Sequence, residues 1–281
     1  LEVLRDAFDA ADVMVRSDEA GEGVAHALIT CGLIMGRFGI DHTDKSVMSS
    51  MISAEGAAAL DEIMQKYTGN VLMPALRCNN AVAQGVAAIL LRVVLAPEHL
   101  GWTDQSQALL NGVLPLVEEG EDAVSPGFAR LVADLIVRDP SEEALVKIFQ
   151  VCGGTARSAK LSGLRALADI AKQGKSNMSA QTLTLMIQTT LPRLSDKDLE
   201  TRRAAADVVA HLDAAKTMPV LISLLDSKDA GEQSAATEAI VSTMEFQRSS
   251  LEAVETYLRT LCTPCIWGSN DEAVVREKLT R

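Results

Sequence analysis

The chain has 281 residues, 48% of them apolar but only 3% aromatic, and its formal charge is −12. The apolar share supplies a sizeable core built from Ala, Leu, Val, Ile and Met, a mix that suits helices, whereas sandwiches and barrels draw on β-branched and aromatic residues. The negative charge argues against nucleic acid as the main partner, since that calls for a basic footprint.

Helical periodicity starts at the first residues and continues almost throughout, in about fourteen segments of ordinary helix length. Leu1 already lies inside such a pattern and no Met precedes it, so the chain is read as a piece of a longer protein. On that reading Leu1, Val3 and Leu4 form an apolar end that a preceding element would cover. Short breaks follow at "RSDEAGEG" (16–23) and "GIDHTD" (39–44), with Gly and capping residues as punctuation. Residues 1–120 read as helical pairs without a clear repeat signature. The most apolar run, "VAAILLRVVLA" (86–96), carries Arg92 and falls short of the roughly 20 residues a membrane span needs. No membrane span is expected.

Trp102 follows in "EHLGWTD". A loop Trp among apolar neighbours is an interface anchor or, equally, a plug between helical pairs. Residues 98–146 hold two basic and ten acidic side chains, a net −8. Residues 150–203 invert this, with nine basic and four acidic, a net +5. The basic set is Arg157, Lys160, Arg165, Lys172, Lys175, Arg193, Lys197, Arg202 and Arg203. Opposite polarity in adjacent segments would orient a charged partner and set its association rate. The plainer alternative is a pair of ordinary solvated faces.

The stretch "AKLSGLRALADIA" (159–171) shows the helical period plainly. Leu161, Leu164, Ala168 and Ala171 recur at three and four, and Ser162, Arg165, Asp169 and Lys172 run along another face. A small residue, Asp and an apolar residue recur as Ala133-Asp134-Leu135, Ala168-Asp169-Ile170 and Ala206-Asp207-Val208. A tighter repeat appears when residue 194 is set against 225. Leu194 then meets Leu225, Lys197 meets Lys228, Asp198 meets Asp229, Ala204–Ala205 meet Ala235–Ala236, Asp207 meets Glu238 and Val209 meets Ile240. Self-similarity at roughly 30–45 residues marks stacked helical pairs, because one pair cannot bury its apolar stripe alone and a stack can.

"LPRLSDKDLETRRAAADVV" resembles a HEAT repeat, and the chain as a whole resembles the HEAT/armadillo superfamily of α-solenoids. In that pattern Asp196 matches the turn Asp, Arg202 the arginine that opens the second helix, and Ala205 a small packing position. In the following repeat Asp226 matches the turn Asp and Gln233 replaces the arginine. The resemblance implies that Arg202 packs between repeats, paired with a turn aspartate such as Asp196 or Asp226. Asp198 is a candidate N-cap for the second helix. The superfamily is broad, so the resemblance implies a fold and leaves the task open.

Sites for chemistry are sparse. Cys262 and Cys265, in "CTPC", have the spacing of half a zinc site or a dithiol pair, but no second pair exists to complete four ligands. Redox chemistry of the thioredoxin type would need a βαβ context, which the helical pattern does not provide. The five cysteines, an odd and mostly isolated set, suit a reducing, cytoplasmic setting. His211 reads as a surface partner of Asp207. No nucleophile elbow or Gly-rich phosphate loop is present.

The sequence therefore predicts an all-α protein: one right-handed α-solenoid domain over 1–281, of about six to seven helical pairs, clearest at 155–244. Its expected role is a non-enzymatic scaffold for a protein partner, with no cofactor and no metal. Arg157, Lys160, Arg165, Lys172, Arg203 and Trp102 are the candidate contacts. A purely structural segment of a larger solenoid and a metal or redox protein using Cys262 and Cys265 are the alternatives.

Overall fold

The structure is a computed structural model that describes residues 2–17, 22–37, 54–78, 80–95, 103–119, 125–174, 178–247, 254–256 and 258–259. Those residues are helical or in turns, and none forms a strand. The chain groups into two compact units, Leu1–Ala144 and Leu145–Arg281.

In the first unit, α1 (Glu2–Arg16) buries Leu4, Phe8 and Ala11, spaced by four and three, and so presents one apolar stripe. Leu4 is fully covered while Val3 is 63% exposed. The stripe packs on α2 (Glu22–Arg37), where Val24, Leu28, Cys31 and Met35 are buried. Helix α3 (Ala54–Tyr67) then widens into a π-turn at Thr68–Leu72 and closes with a short helical turn at Met73–Ala75. Pro74 accounts for the widening. Its ring would strike the Asn70 carbonyl in a regular helix, and it has no amide to donate. The preceding amide, of Met73, reaches back to the Thr68 carbonyl instead. Tyr67 is fully buried, and its ring stacks on Phe8 at 5.0 Å. Its hydroxyl donates to Asp9 at 2.6 Å and accepts from Lys66 at 2.8 Å, tying α3 to α1.

Asn80 caps α4 (Ala81–Leu95) by accepting the Ala83 amide. The unit ends with α5 (Thr103–Glu119) and α6 (Ser125–Arg138). Helices α1 and α5 pack on their successors α2 and α6, and α4 packs on both α2 and α6. The second helices α2, α4 and α6 therefore lie side by side in chain order. Arg92 on α4 clamps Asp134 on α6 at 2.6 Å.

The second unit repeats this scheme. Helix α7 (Glu142–Gly153) contains the point in the sequence where the units divide and leads to α8 (Arg157–Gly174). Helix α9 (Ala180–Thr190), capped by Ser179, tightens into a 3-10 turn at Leu191–Ser195. There Pro192 removes another helical donor. Asp198 opens α10 (Leu199–Ala210), Asp213 opens α11 (Ala214–Leu225) and Asp229 opens α12 (Ala230–Phe246), each accepting amides of the first turn. Helix α10 packs against α8 on one side and α12 on the other, so α8, α10 and α12 form a second sequential layer.

The small-Asp-apolar signature lies on second helices. Ala133 and Leu135 on α6, Ala168 and Ile170 on α8, and Ala206 and Val208 on α10 are all buried. The aspartate between each pair stands at the surface or half-buried. Such alternation is what a helix sandwiched between two neighbours requires: small residues where helices approach, polar ones between them.

Candidate functional site

The turns between paired helices hold the densest polar chemistry in the second unit. At residues 195–202 the sequence S-D-K-D folds on itself. Asp196 Oδ1 accepts the Asp198 amide at 3.0 Å, and Asp198 Oδ2 accepts the Thr201 amide and hydroxyl, both at 2.9 Å. The second oxygen of each carboxylate reaches the preceding second helix. Lys160 Nζ donates to Asp196 Oδ2 at 2.6 Å, and Arg157 Nε donates to Asp198 Oδ1 at 3.0 Å.

Burial works against ionisation of Asp198, but Arg157 and the Thr201 donors overcome it and draw the carboxyl down to about 2. Asp196 behaves alike: burial opposes its charge, and Lys160, the Asp198 amide and Arg193 hold its carboxyl below the ordinary value.

The next turn, 227–233, is built to the same plan. The Ser227 hydroxyl accepts the Asp229 amide at 3.1 Å, and Asp229 caps the Gly231 and Glu232 amides. Gln233 Nε2 donates to the Ser227 carbonyl at 2.7 Å, as Arg202 Nη1 donates to the Asp196 carbonyl at 2.8 Å. Ser227, and not the neighbouring Asp226, thus takes the place of Asp196. A hydroxyl suffices there, because one acceptor for one amide is all the turn needs. Arg202 also donates to the Lys197 carbonyl at 3.1 Å, so it holds its own turn through backbone oxygens rather than a carboxylate. Its guanidinium lies close to α12: a Cβ on Gly231 would stand 3.1 Å from the guanidinium carbon and 2.9 Å from Asp229 Oδ1. The hydroxyls of Ser195 and Ser227 bond Glu232 and lower its carboxyl, linking one turn to the next.

Of the six expected contact residues, Arg157 and Lys160 sit at the start of α8 and are committed to this turn. Arg203, exposed on α10, pairs with Glu200 at 3.2 Å and approaches Glu238 of α12 at 3.9 Å. Arg165 is half-buried and engaged on α8, and Lys172 is exposed in its last turn. Trp102 lies outside the described residues, as do Cys262 and Cys265. The basic strip read from the sequence is therefore divided between cations that join consecutive helical pairs and a smaller set on the layer of second helices.

Arg193 and Lys197 are basic residues that sequence reasoning counted without assigning a role. Together with Arg157, Lys160, Pro192, Ser195, Asp196 and Asp198 they line a depression of about 440 Å³ at the turn. Only their offset from the recurring aspartates pointed to them.

His211 corrects an expectation. Its distance to Asp207 is 3.7 Å, yet the ring is buried, edge-on to Phe246 at 4.1 Å. Gln247 closes over the same helix end by donating to the Leu212 carbonyl at 2.8 Å. The aromatic packing comes from a residue 35 positions away, which local spacing does not reveal.

Among the described residues no group of three or more His, Cys, Asp or Glu side chains is placed to hold a metal ion, and no helix is long and apolar enough to cross a membrane. Burial pushes the Cys31 and Cys152 thiols up to about 12, which keeps them protonated and inert. Compared with known proteins, the chain matches no family model and no curated protein.

Proposed function

We propose that this chain is a non-enzymatic protein-binding scaffold, a right-handed HEAT- or armadillo-like α-solenoid of about six to seven helical pairs. Its second helices would line the surface that receives a partner. The observation that carries the reading is the sequential layering of second helices, α2–α4–α6 in one unit and α8–α10–α12 in the other. Within each unit, elements that contact mainly their chain neighbours leave a continuous face for a partner peptide, helix or domain.

On the second layer that face changes sign. Helix α8 contributes Arg165 and Lys172, α10 contributes Arg203 with Glu200 and Asp207, and α12 contributes Glu238 and Glu245. A partner of alternating charge would be oriented along it. A reducing, cytoplasmic setting completes the proposal.

Replacing Arg165 and Lys172 by Glu tests it. Capture of partners from native extract should fall, while a Lys216→Glu control on the exposed first-helix side of α11 retains them. Undiminished capture by the α8 variant, with an unchanged helical signal, would remove that face from the proposal.

A further inference from the structure

We propose that the depression at the 191–198 turn is a receptor for a phosphoryl group carried on a partner protein's side chain. This rests on the scaffold reading and names the chemistry of one contact within it.

Four cations and two carboxylates line the depression. Both carboxylates are used up within the protein. Asp196 is bound by the Asp198 amide and Lys160, and Asp198 by Thr201 and Arg157. Among the lining residues two positive charges are left over, on Arg193 and Lys197, while the Glu232 carboxylate beside Ser195 is held by the Ser195 and Ser227 hydroxyls. Lys197 is exposed. Arg193 is three-quarters buried, its Nε is covered and has no hydrogen-bond acceptor, and its nearest carboxylate oxygen, on Asp196, stands 3.9 Å away while holding Lys160 at 2.6 Å.

A guanidinium partly removed from water with such weak compensation is a costly feature. An anion in the depression would compensate it. The surplus of two charges matches a phosphate monoester, which carries about −1.5 to −2 near neutral pH and offers three acceptor oxygens. A carboxylate would neutralise only half of it. Arginine beside lysine is also the pairing that combines a planar fork with a mobile point charge around a phosphate. Pro192 and the 3-10 turn set the backbone at Arg193, and its side chain is already mostly covered, so less side-chain ordering is left for the binding step.

The test titrates the purified full chain with three probes: inorganic phosphate, a phosphoserine peptide with its unphosphorylated twin, and vesicles of anionic lipid. Amide NMR shifts and fluorescence anisotropy report binding. Phosphate should shift the amides of 193–198 at millimolar concentration, and the phosphopeptide should bind more tightly than phosphate or its twin. Arg193→Gln with Lys197→Gln should weaken the phosphopeptide by about tenfold or more. Arg5→Gln with Lys216→Gln, which removes the same charge elsewhere, should not.

Any of the following overturns the proposal: no shift at 193–198, equal affinity for the two peptides, equal loss from both charge variants, or vesicles binding in preference to the peptide. Arg193→Lys keeps the charge and the turn, and should restore part of the affinity if the double variant proves poorly folded. Partner capture through Arg165 and Lys172 is read separately, so a failed phosphate site leaves the scaffold reading standing, and a failed capture does not alter the NMR result.

Discussion

Asp198 is the side chain on which an N-cap and an ion pair converge, and its replacement separates them. The carboxylate caps α10 through the Thr201 amide and hydroxyl and clamps Arg157 of α8. Loss of an N-cap costs about 1 kcal/mol. A part-exposed ion pair adds about 0.2–1 kcal/mol. Asp198→Ala should therefore destabilise the second unit by about 1.5 kcal/mol, and Asp198→Asn, which can still cap, by well under about 1 kcal/mol. With a urea slope of about 1.5–3 kcal/mol per molar, the Ala variant's midpoint falls by about 0.5–1 M.

The acid response carries a sign of its own. Folding lowers the Asp198 carboxyl from 3.8 to about 2, so its contribution is complete above the higher value and is lost as pH falls through the lower one. The amide in Asp198→Asn does not titrate, so the wild-type advantage over that variant should shrink between about pH 4 and pH 2. Urea unfolding followed by circular dichroism at several pH values measures both effects. Equal losses for Ala and Asn would refute the cap, and a pH-independent gap between wild type and Asn would refute the ion pair.

Arg202→Gln should retain most of the stability that Arg202→Ala loses, because Gln233 performs the same backbone bond in the next turn. Losing these two bonds, one part-buried and one exposed, should cost about 1 kcal/mol by the same urea assay. Gly163→Ala should destabilise despite its better helix propensity, since the new Cβ would stand 2.7 Å from Cys152 Sγ and 3.4 Å from its amide nitrogen. Pairing it with Cys152→Ala should recover part of the loss, and strictly additive losses would count against the clash. Thiol labelling read by peptide mass spectrometry should leave Cys31 and Cys152 unmodified until denaturant is added. Tyr67→Phe should lower thermal stability near neutral pH by removing the donor to Asp9, and the difference from wild type should narrow in acid. The sign follows because Tyr67 and then Lys66 hold the Asp9 carboxyl below its ordinary value, so its contribution is present above that value and lost below it.

The all-helical character was legible because periodicity is local: a stripe at three and four declares itself within a few turns. The Asp198 cap was legible for the same reason, since Asp198 binds an amide only three residues on. The repeat around residues 194 and 225 is likewise reproduced in two turns of one design, with Ser227 serving where Asp196 does because the turn asks for an acceptor and not for a charge.

What spacing alone left open was the partner each cation finds. Arg157 and Lys160 lie 41 and 36 residues from the carboxylates they hold, and His211 lies 35 from the Phe246 ring that covers it. Helical pattern and end caps belong to the sequence by itself, since their energies depend on neighbours within a turn or two. Whether a charge joins two helices or stays at the surface was decided only by packing, because that depends on which distant helix arrives beside it.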